Sequence, residues 1–280
     1  MPNRFDRISY TICGNAFLIQ MYNIIRTNEE FRAKFHELSS SDVIIGCLNI
    51  KPSEEYIFTD LLSRGVVLFP SALSQQLTRS KCFQAAVFTK YMVHLTTVIR
   101  DKNDILSAIT IYNSLKINKV ITKQDRANCG LGINLWSSIE DIYNSVSFGH
   151  IKFPFVLQPF IENVLDVRII ILGNYLEAYW RKNDNNIRNN ISRGGGSGIY
   201  DLPENALMLC KEIMQRGQFP YAHIDLMITP RNEIFFSEIA LRGGIKGAQI
   251  SPATYVKQIK KLEDLFIASC NDISASTNRT

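Results

Sequence analysis

Two short apolar segments, residues 223–229 and 233–239, stand on either side of Pro230-Arg231-Asn232, and no other stretch constrains the fold as much. Each is dense in bulky apolar residues and bounded by turn formers, which predicts the two arms of a β-hairpin. Each arm also carries a carboxylate, Asp225 on the first and Glu238 on the second. An unpaired carboxylate is costly to bury, so both acids need a partner. Hard oxygen donors of this kind are what Mg²⁺ takes when it bridges a nucleotide's phosphates.

Upstream, Asp166-Val167-Arg168, Arg181-Lys182, Arg188-Asn189-Asn190 and Arg193-Gly194-Gly195-Gly196 concentrate cations ahead of a glycine run. That density suits a polyphosphate better than a packed interior. Further back, a strand predicted over residues 118–124 carries Lys123 and leads into Gly130-Leu131-Gly132. A pliable Gly-x-Gly loop can close its N–H groups over phosphate oxygens while a strand-borne lysine neutralises charge from the other side. Taken alone, the same tripeptide is an ordinary hairpin turn.

A chain of 280 residues can bury a substantial core and divide into two or three compact subdomains. With 46% hydrophobic and 20% charged residues, general disorder is excluded as an expectation. Much of the net charge of +5 sits in the basic cluster at 181–193, which favours phosphate over nucleic acid as its partner. Six cysteines, at 13, 47, 82, 129, 210 and 270, lack zinc spacing and are expected reduced. Residues 1–20 mix Arg4, Asp6 and Arg7 with short apolar runs, so no signal peptide or membrane span is expected and a cytoplasmic location follows.

Residues 8–12, 43–48 and 65–70 read as strands and 15–37 as a helix, an alternation that predicts a small parallel sheet. Residues 71–115 read as mostly helical, with Lys81 near a helix start. A strand is expected over 153–161, a hairpin over 166–181 around Gly173-Asn174, a helix over 203–216 stopped by Gly217, and a closing helix over 257–267. His223 lies two residues before Asp225, on the same face of its strand, and is expected to be a satisfied strand histidine.

In their order along the chain, Gln158-Pro159-Phe160-Ile161, Asp166-Val167-Arg168, Arg188-Asn189-Asn190, Arg193-Gly194-Gly195, Asp225 and Glu238-Ile239-Ala240 resemble the ATP-grasp carboxylate-amine ligases. The resemblance is nearest to the branch that attaches glutamate to a ribosomal protein's tail or builds an amino-acid carrier intermediate in lysine biosynthesis. It covers roughly residues 65–265, and the ordered set carries it rather than any one motif. It implies an α/β (α+β) ATP-grasp fold in which an N-terminal parallel-sheet domain (1–75) precedes a central subdomain with the glycine loop (76–152). A C-terminal subdomain with the metal site (153–270) and a polar tail (271–280) complete the expected organisation.

The activity implied is ATP-dependent amide formation between a carboxylate and an amine through an acyl phosphate. By the same resemblance, Asp225 and Glu238 hold Mg²⁺ or Mn²⁺, and Lys81, Lys123, Gly130, Gly132, Arg188 and Asn190 serve the phosphates. Gln158, Pro159, Phe160 and Ile161 form the adenine hinge, with the Pro159 carbonyl and the Phe160 amide facing the base, and Asp166 lies on the ribose side. Arg168, Arg193 and Arg242 face the reacting centre. Implied partners are an amino acid, peptide or small carrier, and homodimers are common in the family.

Ala240 departs from the pattern, since the family has a metal-binding asparagine there and alanine offers no donor. A nucleotide-binding protein that has lost ligation and acts through a partner is therefore the competing reading. An RNA-binding module using the basic cluster is a third, but interleaved aromatics are missing.

Overall fold

The computed structural model describes residues 22–127, 132–183 and 195–276, with residues 271–276 described by backbone alone. The first elements form a parallel three-stranded sheet of β1 (Asn23–Ile25), β2 (Asp42–Ile45) and β3 (Val67–Phe69), with α1 (Asn28–Lys34) and α2 (Tyr56–Ser63) as crossovers. Side chains alternate across a strand, and burial follows that period. Ile44 and Leu68 join a core with Phe31, Phe58 and Leu61 of the two helices, whereas Val43, Ile45 and Phe69 face the largest core of the molecule. Of the helix expected across 15–37, residues 15–21 lie outside the described residues and 22–37 are not one helix. Ile24 and Ile25 are β-branched and pair with β2, and α1 starts where Thr27 accepts the Glu30 amide at 3.1 Å.

Next come α3 (Ala72–Leu77) and α4 (Lys81–Phe88), capped by the hydroxyls of Ser71 and Ser80. The stretch expected to be mostly helical also holds β4 (Thr97–Ile99), a β-branched run paired antiparallel with a later strand. After α5 (Lys102–Ser114), β5 (Val120–Gln124), β6 (Ile133–Trp136), α6 (Ile139–Ser147) and β7 (Phe155–Pro159) complete a four-stranded antiparallel sheet of order β4-β7-β5-β6. Phe155 and Leu157 pack beneath α5 and α6 with Ile105, Tyr112 and Ile142, whereas Val156 on the opposite face belongs to the largest core.

The last sheet is antiparallel and five-stranded. Its strands are β8 (Leu165–Leu172), β9 (Tyr175–Lys182), β10 (Gly196–Ile199), β11 (Tyr221–Ile228) and β12 (Ile234–Ala240), in the order β10-β9-β8-β11-β12. The β8–β9 turn uses Gly173 at φ +62°, and the β11–β12 hairpin closes with Asn232 at φ +60°. Between β10 and β11, α7 (Glu204–Gly217) runs one residue further than expected. Its left-handed stop is Gln218 at φ +56°, while Gly217 is still helical and is glycine for space, since a Cβ there would meet Phe219 at 2.7 Å and Phe88 at 2.9 Å. The closing helix α8 (Pro252–Ser276) continues past 267 into the expected tail. No helix among the described residues is long and apolar enough to cross a membrane.

Candidate active site

The register of β8, β9, β11 and β12 collects charge on one face of the five-stranded sheet. Arg168 lies opposite both Asp225 and Tyr179, Asp166 opposite Arg181, and Asp225 opposite Glu238. Arg168 grips Asp225 with both prongs, Nε to Oδ1 at 2.7 Å and Nη2 to Oδ2 at 2.8 Å. Arg181 lies between the two aspartates, with Nη2 2.9 Å from Asp225 Oδ2 and 2.5 Å from Asp166 Oδ1. Such forked contacts are strong and directional. Burial pushes the Asp225 carboxyl upward, but the guanidiniums of Arg168 and Arg181 outweigh it and hold the group well below the usual carboxylate range. Asp166 moves the other way, raised by burial and kept from rising further by Arg181.

The facing wall comes from the four-stranded sheet and α4. Lys123 pairs across the ladder with Val156, so its side chain leaves the face opposite the α5 and α6 core. It reaches Ser237 Oγ at 3.4 Å. Ser237 is the extra residue of the irregularity that follows the Asp225/Glu238 pair, where Leu226 next pairs with Phe236. Burial pulls the Lys123 ammonium down to about 8, with Glu238 opposing the shift. Lys81, the first residue of α4, spans the same cleft: its Nζ is 2.6 Å from the Ala127 carbonyl and 3.4 Å from Glu238 Oε1.

Both sides of the glycine loop are fixed at their base. Asp125 accepts from Ser80 Oγ at 2.8 Å and the Cys82 amide at 3.0 Å. Arg126 makes a forked pair with Glu55 at 2.7 and 2.9 Å, which ties the loop to the segment that opens α2. Gln124 N donates to the Gly132 carbonyl at 2.8 Å, and a Cβ at Gly132, φ +78°, would meet Gln124 Cβ at 2.7 Å. Glycine is required there by both conformation and space.

Of the residues expected at the site, Lys81, Lys123, Asp166, Arg168, Asp225 and Glu238 converge, and Gly132 closes the loop base. Gly130, Arg188, Asn190 and Arg193 lie outside the described residues. Arg242 follows β12 in an exposed loop. Pro159 ends β7, and the Phe160 amide expected to face adenine is instead spent on the Lys119 carbonyl at 3.0 Å, because the β5–β7 pairing continues one residue past the proline. Ile161 follows in an irregular segment. Gln158 is buried on the same face as Lys123, and its Oε1 has no hydrogen-bond partner among the described residues. His223 is a satisfied strand histidine on one side, 2.9 Å from Tyr255 Oη, and burial lowers it to about 4.

Sequence reasoning missed the role of Arg181, which turns inward rather than toward a ligand, and missed Ser237, Glu55 and Arg126 altogether. Only the two-residue offset of Arg181 from Tyr179 on a strand opposite Asp166 and Arg168 could have signalled the first.

Glu238 is half-buried and offers hard oxygens, while both oxygens of Asp225 are already bonded to arginine and Ala240 contributes nothing. Among the described residues no group of three or more acidic, histidine or cysteine side chains gathers as a self-sufficient metal site. This fits Mg²⁺ carried by nucleotide phosphates, which takes one or two carboxylates, and does not fit an all-protein cage.

A lysine-bearing antiparallel sheet with a glycine loop between two of its strands, set across a cleft from a carboxylate-bearing sheet, defines the ATP-grasp class of fold. Solved structures agree. The chain is similar to N5-carboxyaminoimidazole ribonucleotide synthetase in an ADP complex, with 15% identity, a TM-score of 0.53, and coverage of 79% of this chain and 59% of that one. It is similar to D-cycloserine synthetase DcsG, with 11% identity, a TM-score of 0.60, and coverage of 79% and 83%. A RiPP-associated ATP-grasp ligase from Chryseobacterium gregarium, in complex with ADP and a leader and core peptide, gives 17% identity, a TM-score of 0.53, and coverage of 75% and 66%. At these identities the likeness is one of fold, and this chain spans about three fifths of the first of these proteins. No curated protein sequence matches it. Residues 77–259 match the family model described as the RimK-like ATP-grasp domain, and the chain belongs to that family.

Proposed function

We propose that this protein is an ATP-dependent, ADP-forming ligase that joins a carboxylate to an amine through an acyl phosphate. The observation that carries this reading is the meeting of Lys81, Lys123 and Glu238 across the cleft, at the base of the glycine loop. A substrate carboxylate oxygen attacks the γ-phosphorus and ADP leaves. The amine nitrogen then attacks the acyl carbon, phosphate departs, and the nitrogen gives up a proton to form the amide.

Each residue has a task that its surroundings support. Lys81 and Lys123 neutralise phosphate charge that builds up as ADP leaves. Glu238, with Asp225 behind it, would hold Mg²⁺, which when bound screens the phosphate oxygens. Arg168 and Arg181 fix Asp225 in place, and Arg168 also reaches the Gly244 carbonyl at 3.2 Å, joining the charged face to the loop that bears Arg242. Arg242 contacts the reacting carboxylate. Asp166 serves the ribose side, and the unmet acceptor of Gln158 takes the exocyclic amine of adenine beside the Pro159 carbonyl and Ile161. Gly130, Gly132, Arg188, Asn190 and Arg193 complete the phosphate and acyl contacts. The substrate is an amino acid, peptide or small carrier, and the working location is the cytoplasm.

Ala240 favours a second reading, nucleotide binding without ligation. Release of ADP and phosphate is measured with Mg²⁺ and a panel of acids and amines. Turnover with any pair, lowered at least a hundredfold by Glu238→Gln, is the expected result. ADP that binds with no turnover on any pair would leave the second reading standing.

A further inference from the structure

Because β1 and β2 run parallel, the chain leaves both at one edge of the sheet. Arg26 follows β1, and Gly46 and Cys47 follow β2. A cavity of about 200 Å³ lies there, open to solvent and completed by Arg242 from beyond β12. Ligands of α/β sheets bind beyond the carboxyl ends of strands, and a space below the usual range for drug-sized ligands suits the end of a smaller one.

One wall of the cavity is built rather than incidental. The Leu48 amide donates to Gln75 Oε1 at 2.8 Å, and Arg79 donates to the carbonyls of Leu48 and Ile50. Asn28 holds the same loop from the other side, donating to the Cys47 carbonyl at 3.3 Å and accepting from the Asn49 amide at 2.5 Å. Gly46 has φ +103° and nothing within 4 Å of where a Cβ would stand, so the open space reaches its backbone.

The charged lining is one-signed. Arg26 and Arg242 line the opening, and no carboxylate does so among the described residues. Burial raises the Cys47 thiol, so it adds no negative charge. The acid paired with the Arg26 guanidinium is Asp264, 3.7 Å from Nη2, with both side chains about half exposed, while Glu30 accepts from the Arg26 backbone amide at 3.5 Å. Exposed pairs of that kind contribute about 1 kcal/mol or less and give way to a better-placed anion. Two guanidinium forks without an acid between them suit a carboxylate.

We propose that this cavity holds a carboxylate-bearing end of the substrate, and that Arg26 is the residue setting a preference for an acidic over a neutral group. The proposal rests on the ligase reading and deepens it. Arg242 links the two places: it lines the cavity, and Gly244 of the same loop accepts from Arg168 Nη1 at 3.2 Å, so a ligand anchored at Arg26 extends toward the charged face.

The test is calorimetric titration of the full chain, saturated with ADP and Mg²⁺, using aspartate and glutamate against their amides asparagine and glutamine. At least one acid is expected to bind tenfold or more tighter than its amide. Arg26→Gln should shrink that ratio to within twofold, and Arg26→Lys should restore part of it, with ADP affinity unchanged in both. Equal binding of acid and amide, no binding of either, or an acid affinity indifferent to Arg26→Gln overturns the proposal. Inorganic phosphate that competes as well as the acid also overturns it, by placing a phosphoryl group in the cavity. Failure of ADP itself to bind would instead strike the ligase reading, and the two failures are read separately.

Discussion

Arg181 shows how one buried cation can organise a site without touching a ligand. It bridges Asp166 and Asp225, so its loss strands two carboxylates where burial opposes their charge. Removing one partner from a buried ion network costs about 3–5 kcal/mol. Arg181→Met is expected to destabilise the protein by about that amount in urea denaturation, even with no nucleotide present. Lys123 supplies a pH signature. Below about 8 it is an ammonium and attracts phosphate, so ADP affinity should fall as pH rises through that value, and Lys123→Arg should flatten the profile up to pH ~9. The sign for folding is opposite. A lysine held lower in the fold than in the unfolded chain binds fewer protons when folded, so its contribution to stability grows as pH rises from about 8 to ~10.4. Asp225, Glu238 and Lys123 could be picked out of the sequence because carboxylates on apolar arms and a lysine before glycines are chemically out of place, whereas Lys81 came only with the family resemblance. The inward turn of Arg181 could not, since it depends on which strand lies beside β9.

At the level of elements, the glycine loop is positioned by groups from outside its own sheet. Asp125 grips the start of α4, Ala127 takes the Lys81 ammonium, and Arg126 reaches Glu55 in the N-terminal sheet unit. Glu55→Gln leaves the side chain's shape and removes the charge-assisted fork. The expected result is a rise of about five- to tenfold in KM for ATP with kcat nearly kept, on the scale of one charged hydrogen bond. An unchanged KM would show that the loop keeps its place without the tether. Elements with strong local signals could be read from the sequence: the Gly173 turn and the Pro230-Arg231-Asn232 hairpin. The strands β1 and β4 could not. Each is three residues long, and β-branched Ile24 and Val98 gain their partners from segments far along the chain.

On the scale of the molecule, three cores divide the work. The core under α1 and α2 and the core under α5 and α6 serve single sheets, while the largest draws on all three. Phe69 at the end of β3 stacks on Phe266 of α8, with centroids 4.4 Å apart, and meets Tyr221 edge-on at 6.4 Å. The parallel sheet is therefore fastened to the carboxylate-bearing sheet, and the lysine-bearing sheet touches that mass on one face, through Val98 and Val156. The antiparallel halves could be anticipated from the ordered motifs, but this three-way apolar junction could not, because its members are scattered from Val43 to Ile259. The stacking of Phe69 on Phe266 carries a practical consequence for anyone dissecting the chain. A fragment trimmed to 77–259 discards both rings and lays Tyr221 bare. It is expected to precipitate on expression while the intact polypeptide does not, as sedimentation of the two lysates would reveal.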